Sequence, residues 1–241
     1  MLDYSNQRIA MKLHLYGAIA IALLLSGCGS RVAVAPMSKN VQTELSSIDT
    51  TLIIRQSNLD VTVPQTNGSQ GGLIGVLVAA VIDSARRSSA ENEAAPIVER
   101  IQDYNFRQVM QDEASSTLGG LENVRANLPV NLDTVGSALT FRIAYDKSTA
   151  NAFLLCNIGY VLNSGNLIVT LHASMYPKAD TLKKYRTAPD ESNPLADGNA
   201  IYNNKFSFVK EGITANNIQA SLNEAAKNLA KQLATDIDYG V

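Results

Sequence analysis

The chain has few of the side chains that carry most enzyme chemistry. Its 241 residues include two cysteines, two histidines and no tryptophan. His14 directly precedes an N-terminal apolar run, which leaves His172 as the one histidine in the body of the chain. A zinc site needs three or four His, Cys or carboxylate ligands, and a serine triad needs a histidine beside its nucleophile. The composition therefore predicts neither a metal site nor a catalytic triad, and we expect no enzyme.

The chain has no large excess of positive or negative charge, because it contains 20 Lys and Arg residues and 22 Asp and Glu residues. A nucleic-acid-binding domain is expected to carry a basic patch, so the balance predicts no nucleic-acid partner. Glycines cluster at 68–75, but no Lys-Ser or Lys-Thr pair follows them, which excludes a phosphate loop. At Asp112-Glu113 and Asp190-Glu191 we expect solvated surface charges, and a hydrolase acting through carboxylates stays open as a minor alternative.

What the sequence does contain is an export signal at its N-terminus. Lys12 precedes an eleven-residue apolar run at 15–25, which is followed by Ser-Gly-Cys at 26–28. A secretory signal has a basic start, an apolar stretch of about 7–15 residues and small residues at the cleavage site. A membrane-spanning helix needs about 20 apolar residues. The pattern predicts a signal peptide over 1–27, with either Met1 or Met11 as its start.

The four residues Leu25-Ser26-Gly27-Cys28 resemble the lipobox of bacterial lipoproteins. The resemblance implies cleavage between Gly27 and Cys28, a diacylglycerol on the Cys28 thiol, and a further acyl chain such as palmitate on its new amino group. Two or three acyl chains hold a protein on a membrane, where one does so only marginally. Gly29, in place of an Asp, implies the outer membrane, with the protein facing the periplasm. We expect no cofactor beyond this covalent lipid.

The remaining residues, 28–241, are enough for one domain with a sizeable core. We predict a lipidated Cys28 and tether over 28–50, where 37–50 is polar and is interpreted as linker or loop, and a single domain over 51–241. With Cys28 lipidated, Cys156 has no partner in the chain, and we expect it to be a buried hydrophobic residue.

A glycine-rich apolar segment lies at 68–82. Gly71, Gly75 and Ala79 are spaced at i, i+4 and i+8, which places them on one face of a helix. Such small-residue faces let another backbone approach closely. Two interpretations stay open: a helix buried in the protein's own core, or a face that packs against another copy or enters the lipid. The apolar part, 73–82, is too short to span a membrane as a helix.

The strongest pattern is a hairpin that joins 152–162 to 167–176 through a turn around Gly165. Pairing Leu162 with Leu167 places one apolar set on a single face, with Cys156 in it and His172 on the opposite face. A slip of one residue would mix the two sets. Alternation also predicts strands within 51–63, at 139–145 and at 201–209. Helical spacing predicts helices at 97–118, broken near Asn105, and at 215–237.

These elements predict an α+β fold in which about five mostly antiparallel strands form one sheet against two or three helices. Their order resembles the small α+β domains of periplasmic lipoproteins, such as the curli-secretion lipoprotein and the N-terminal domain of the Tol system's propeller protein. No functional residue is carried over from that resemblance. The long polar loop 177–200 is either functional or disordered, and 178–186 mixes charges with aromatic rings suited to an anionic polymer or a partner protein.

The sequence therefore predicts a non-enzymatic, lipid-anchored envelope lipoprotein that binds or scaffolds another envelope protein. The alternative is a self-assembling component of an export or envelope complex, in which residues 71–82 make the contact between copies or with the membrane.

Overall fold

A computed structural model of the chain describes residues 37–62 and 92–238. All of them belong to one compact unit, residues 34–241. The signal peptide, the lipobox and the glycine-rich segment 68–82 lie outside the described residues. Within the described part, six strands form one sheet beside several helices. The predicted α+β class is therefore confirmed.

The described elements follow one another in an irregular alternation of helices and strands. The strands are β1 (Ser47–Ile53), β2 (Asp60–Thr62), β3 (Arg125–Asp133), β4 (Ala152–Asn163), β5 (Asn166–Pro177) and β6 (Tyr202–Lys210). The helices are α1 (Lys39–Glu44), α2 (described over 92–100), α3 (Phe106–Leu118), α4 (Ala138–Lys147), α5 (Asp180–Lys183) and α6 (Ile218–Asp238). None of these helices is both long and apolar enough to cross a membrane.

The sheet is mixed, with strand order β3-β1-β4-β5-β6 and with β2 beside β4. The antiparallel pairs β4–β5 and β5–β6 contain twelve and nine residue pairs. The parallel pairs β1–β3, β1–β4 and β2–β4 contain six, six and three. Antiparallel pairing thus supplies more of the ladder, as predicted, while β1 and β2 add a parallel half that the sequence did not reveal.

The β4–β5 hairpin has the predicted register. Leu162 pairs with Leu167 and Cys156 pairs with Ala173. The two-residue turn between the strands has positive φ angles at Ser164 and Gly165 (50° and 77°), which match the twist of the flanking strands. We call the buried side of the sheet, which carries Cys156, its front face, and the opposite side its back face.

Two helices cover the front face. α6 buries the predicted apolar stripe, which consists of Ile218, Leu222, Ala225, Leu229, Leu233 and Ile237. Asn105 caps the N-terminus of α3, because its side-chain oxygen accepts the N–H of Gln108 (3.2 Å), so a cap causes the predicted break. Phe106 then packs edge-on to the Tyr160 ring of β4, at 4.8 Å between ring centroids. The core of the protein lies between these helices and the sheet.

The predicted strand at 139–145 is wrong, because these residues form α4. The N–H of Thr140 donates to Ser137 Oγ and the N–H of Ser137 donates to Thr140 Oγ1, which makes a capping box that starts a helix. No residue of α4 is buried. Its apolar residues are therefore not constrained to the spacing of a core-facing helix, and their alternation imitated a strand.

Residues 37–50, interpreted as linker or loop, are also folded. Ser38 caps α1 by accepting the N–H of Val41 (3.3 Å), and Val41, Leu45 and Ile48 are buried. β1 starts at Ser47, earlier than predicted. β3 was not predicted, because it is a polar edge strand interrupted by Pro129.

The predicted loop 177–200 has a defined structure that contains α5 and a turn at Asp197–Asn199. Asn199 is buried and holds the loop together. Its Oδ1 accepts the N–H of Asp190 (3.0 Å), and its Nδ2 donates to the carbonyls of Asp190 and Asn193 (2.7 and 2.8 Å). One side chain therefore satisfies three backbone groups inside the loop.

We expect Asn199→Ala to lower the free energy of unfolding by about 1–3 kcal/mol, because it leaves buried backbone groups without partners. The loop should also become sensitive to protease, measured by limited proteolysis alongside urea unfolding. The exposed Asn216→Ala, which removes no described hydrogen bond, serves as the control and should change neither readout. Equal protease resistance of Asn199→Ala and the wild type would show that the loop does not depend on this side chain.

Candidate functional site

The site residues predicted from the sequence lie outside the described residues. They are Gly27 and Cys28 at the lipobox and Gly71, Gly75 and Ala79 in the glycine-rich segment. Their roles in lipidation and packing stay predictions, and the candidate site has to be sought in the folded part of the chain.

Cys156 and His172 lie on opposite faces of the sheet, as predicted. Cys156 is buried on the front face, where burial raises the pKa of its thiol above the ordinary value. His172 is exposed on the back face, where partial desolvation and the nearby Lys205 ammonium lower its pKa. The two side chains therefore cannot act as a thiol–imidazole pair.

The acidic residues of the described part do not assemble a metal site. No group of three or more His, Cys, Asp or Glu side chains suited to a metal ion occurs there. Asp190 accepts the N–H and the hydroxyl of Ser192 (2.9 and 2.6 Å). Glu191 pairs with Arg186 (2.8 Å). These carboxylates serve the local structure of the 177–200 loop.

The basic side chains of 178–186 are likewise engaged within the protein. Lys178 Nζ donates to the carbonyl of Tyr145 (2.7 Å) and lies 4.3 Å from the centroid of its ring. Lys183 pairs with Asp180 and Lys184 pairs with Glu44 (2.7 and 2.6 Å). This segment therefore offers few unpaired cations to the anionic polymer that the sequence suggested.

A cleft lies on the back face, between α4 and the strands β1 and β3. Its volume is about 590 Å³, which lies within the range of ligand-binding pockets. Its lining mixes polar and apolar side chains, among them Thr51, Asn131, Leu132, Val135, Ile143 and Lys147. We call it the α4 cleft. Two carboxylates, Asp49 and Asp133, also line it.

Asp49 fixes the C-terminal end of α4. Its Oδ2 accepts the Ser148 hydroxyl and the N–H groups of Thr149 and Ala150 (2.6, 2.9 and 3.1 Å). Its Oδ1 accepts the amide of Asn127 (2.8 Å). Partial burial by itself would raise the pKa of Asp49, but these hydrogen bonds outweigh burial and lower it. The ionised carboxylate is therefore the form that holds the helix end in place.

Asp133 fixes the N-terminal end of α4 in the same way. Its Oδ1 accepts the N–H groups of Val135 and Gly136 (2.8 and 3.0 Å), and its Oδ2 accepts the Thr140 hydroxyl (2.5 Å). Gly136 has a φ of 64°, which a residue with a side chain rarely adopts. Burial opposes ionisation of Asp133, but the hydrogen bonds and the nearby Arg55 guanidinium lower its pKa.

The outer surface beside the cleft is apolar. Val135, Leu139 and Ile143 are 67%, 69% and 44% exposed, and we call these three residues the α4 patch. Leu139 and Ile143 are four residues apart on the helix, so they lie on the same face. α4 is thus fixed at both ends by carboxylates and presents apolar side chains to water.

The sequence does not predict this site. Asp49 fell in the interpreted linker, and Asp133 fell in a segment with no predicted element. The local order of Asp133, Gly136, Ser137 and Thr140 is a turn and capping signal that could have indicated the start of α4. No local signal indicates that Asp49 lies at the other end of the helix.

Comparison with known proteins adds little. No family model matches the chain, and no curated protein matches it. A solved structure of an uncharacterized protein is 8% identical, with a TM-score of 0.36 over 85% of this chain and 96% of that one. A PelC dodecamer from Paraburkholderia phytofirmans is also 8% identical, with a TM-score of 0.29 over 86% and 94%. Likeness at this level carries no argument about function.

We expect Asp49→Asn to lower the free energy of unfolding by about 1.5–3 kcal/mol at neutral pH, because hydrogen bonds to a charged acceptor are lost. The folded-state pKa lies below the ordinary value of 3.8. The stabilisation by the wild-type carboxylate is therefore full above that value and is lost as the pH falls through the folded pKa.

The difference between Asp49→Asn and the wild type should thus be large at about pH 7 and small at about pH 2, measured by urea unfolding. The exposed Asp103→Asn provides the control, since no described hydrogen bond is lost. A difference that stays constant across this pH range would contradict the role given to the ionised carboxylate.

Proposed function

We propose that this protein is a lipid-anchored, non-enzymatic component of the bacterial envelope that binds another envelope protein through the α4 patch. The anchor is Cys28, supported by the lipobox-like sequence that ends the apolar run. In this proposal the lipid holds the protein at the outer membrane, and the folded domain faces the periplasm.

The observation that carries the binding role is the exposure of the α4 patch. Four of the five large apolar side chains that stand exposed in the described part lie between 128 and 143, and three of them form the patch. Single exposed apolar residues are normal, whereas grouped ones indicate a contact surface. Burial of such side chains against a partner contributes roughly 25 cal/mol per Å² of apolar area.

The attachment of α4 supports the same role. Because Asp49 and Asp133 hold both ends of the helix, the patch is ordered before a partner arrives. A preorganised surface loses less conformational entropy on binding than a flexible one. The non-enzymatic part of the proposal is supported by the burial of Cys156 and by the position of His172 next to Lys205.

The proposal predicts a covalent adduct when a photoreactive amino acid replaces Leu139 in living cells. Illumination should link the chain to one envelope protein, detected by immunoblotting and mass spectrometry, because the side chain at 139 lies in the contact. The same amino acid at Val209, which is 58% exposed on β6, is the matched control and should give no such adduct.

The Cys28→Ser version of the Leu139 probe tests the anchor in the same cells. It should lose palmitate labelling, leave the membrane fraction and give less adduct, because the lipid no longer concentrates the protein beside its partner. Equal adducts from positions 139 and 209 would argue against the α4 patch. A Cys28→Ser chain that kept its palmitate label would argue against the anchor.

The second candidate is a self-assembling component of an export or envelope complex. It is favoured by the spacing of Gly71, Gly75 and Ala79, which would let helices of two copies approach closely. In that case the probe at position 139 is not required to form an adduct with a different envelope protein. The contact between two copies of this chain depends instead on residues 71–82.

Self-assembly predicts that lipid-free residues 29–241 form a defined oligomer and that Gly75→Leu dissociates it, because a larger side chain separates the packed backbones. The mass in solution, measured by light scattering, decides the outcome. A monomer whose mass ignores Gly75→Leu, but whose stability falls, would identify the segment as part of the protein's own core.

A further inference from the structure

The strand β6 forms one edge of the sheet, because it pairs only with β5 among the described strands. The opposite edge strand, β3, is interrupted by Pro129, which has no N–H to donate. At Val130 it is closed by α3, since Ser115 Oγ accepts the N–H (3.1 Å) and Gln111 donates to the carbonyl (2.7 Å). β6 runs from Tyr202 to Lys210 with no proline and no irregular pairing. It is therefore the edge that is suited to pairing with a further strand.

The turn of the β4–β5 hairpin determines which backbone groups of β6 point outward. Residues that flank a two-residue turn exchange both of their hydrogen bonds, so Asn163 and Asn166 bond to each other. Alternation along β5 then directs the backbone groups of its odd-numbered residues toward β6, where they pair with even-numbered residues. The N–H and carbonyl groups of the odd-numbered residues of β6 therefore point away from the sheet. These residues are Asn203, Lys205, Ser207 and Val209.

The surroundings of these outward groups agree with that geometry. The N–H of Lys205 donates to the side-chain Oδ1 of Asn204 (2.8 Å), as a group outside the ladder can do. Apart from this bond, the outward backbone groups have no partner in the part of the chain that the structure describes. Lys205, Ser207 and Val209 are also exposed. β6 thus presents a main chain that is open to another strand.

The front side of the same edge is apolar and incompletely covered. Phe206 and Phe208 pack against the core but are only partly buried. α6 contacts β5 as well as β6, so its axis is set back from the edge. A groove of about 550 Å³ lies beside Phe206 and is bordered on α6 by Asn228, Lys231, Gln232, Thr235 and Asp236. An added strand therefore has an apolar surface to cover and room beside the helix.

The charges along β6 match those of a reversed copy of the same strand. Lys205 and Glu211, which directly follows β6, form no ion pair among the described residues. Lys210 is already paired with Glu224 (2.6 Å). When two copies of a strand lie antiparallel, the first part of one meets the last part of the other. The unpaired cation of each copy then approaches the unpaired carboxylate of the other, which favours a second copy as the partner.

One register makes the strand complementary to itself. When Ser207 of one copy lies opposite Ser207 of the other, each Phe206 lies opposite a Phe208. The outward groups of the odd-numbered residues bond across the interface, so the phenylalanines occupy the closer, non-hydrogen-bonded positions. Aromatic pairs directly opposite each other stabilise neighbouring strands. A shift by two residues in either direction would leave one such pair instead of two.

We propose that two copies of this chain pair through β6, antiparallel, about a two-fold axis at Ser207. The sheet then continues from one copy into the other, and the same surface of both copies forms the contact. Lys205 lies opposite Val209 and diagonal to Glu211 of the second copy, so no like charges meet. The β6 edge and the strand β3 beside the α4 patch lie at opposite ends of the sheet, so this inference does not depend on the proposed function.

A cysteine scan of the full chain, purified in detergent, tests the register. Ser207→Cys places two thiols on the two-fold axis, where opposed Cα atoms lie about 5.5 Å apart, within reach of a disulfide. Mild oxidation should convert most of this variant to a covalent dimer, measured by non-reducing gel electrophoresis. The matched Lys205→Cys should stay at the wild-type background, because its two copies lie about 13 Å apart. The wild type reports any disulfide of the native cysteines, of which Cys156 is buried.

A charge exchange tests the same pairing without oxidation. Val209→Lys places a second ammonium opposite Lys205 of the other copy at two symmetric positions, so it should weaken the dimer about tenfold. Adding Lys205→Glu should restore the affinity, because opposite charges then face each other. The protein mass, measured by light scattering over a dilution series, gives the affinity. Both positions are exposed, so the circular dichroism spectrum should stay that of the wild type.

Three results would overturn the inference. The first is a chain that is monomeric at every concentration in the series. The second is equal cross-linking of Ser207→Cys and Lys205→Cys, which would show that the copies do not meet in this register. The third is a dimer whose affinity ignores Val209→Lys, or one that Val209→Lys weakens and Lys205→Glu fails to restore.

These outcomes can be separated from those of the proposed function. A photoreactive amino acid at Val209 should give an adduct of twice the mass of the chain, whereas the adduct at Leu139 contains a different protein. A β6 dimer without a partner adduct at Leu139 would count against the α4 patch and leave the inference standing. A dimer that Gly75→Leu dissociates and Val209→Lys leaves intact would place the contact in residues 71–82 and overturn the inference.

Discussion

The pairing of β4 with β5 is the constraint on which the rest of the structure depends. Twelve consecutive residue pairs in one register place every apolar residue of the predicted set on the front face. A shift of one residue would expose that set, so the register is fixed by burial as well as by the turn at Ser164-Gly165. β4 then serves as the template for the parallel strands β1 and β2, and β5 serves as the template for β6.

The two faces of this sheet are covered in different ways. On the front face, α3 and α6 bury apolar stripes, so hydrophobic burial decides their positions. On part of the back face, α4 packs Ala144 and Tyr145 against a small apolar cluster around Phe153, and hydrogen bonds to Asp49 and Asp133 fix its two ends. Because this attachment uses neither Leu139 nor Ile143, those two side chains can stay on the surface.

This difference explains which parts of the fold could be predicted. The hairpin and α6 combine strong periodicity with burial, so their elements, faces and register followed from the sequence. The apolar residues of α4 do not recur at the spacing of a core-facing helix, because none of them is buried. Only the Ser137–Thr140 capping box distinguished this segment from a strand. β1 and β3 pair in parallel across a long stretch of chain, and β3 is a polar edge strand. Neither property leaves a strong local pattern.

The candidate site could not be predicted for a related reason, which lies in the irregular pairing of β1 with β3. Asp49 pairs with Asn127 and Thr51 pairs with Asn131, so β3 contributes extra residues at 128–130. Such a bulge bends a strand and redirects its side chains and backbone groups. Here it turns the backbone of Val130 toward α3, which closes the strand edge, and it leaves 131–133 beside the cleft. The boundary between the closed and open parts of the edge is set by this bulge, which exists only once two distant segments have paired.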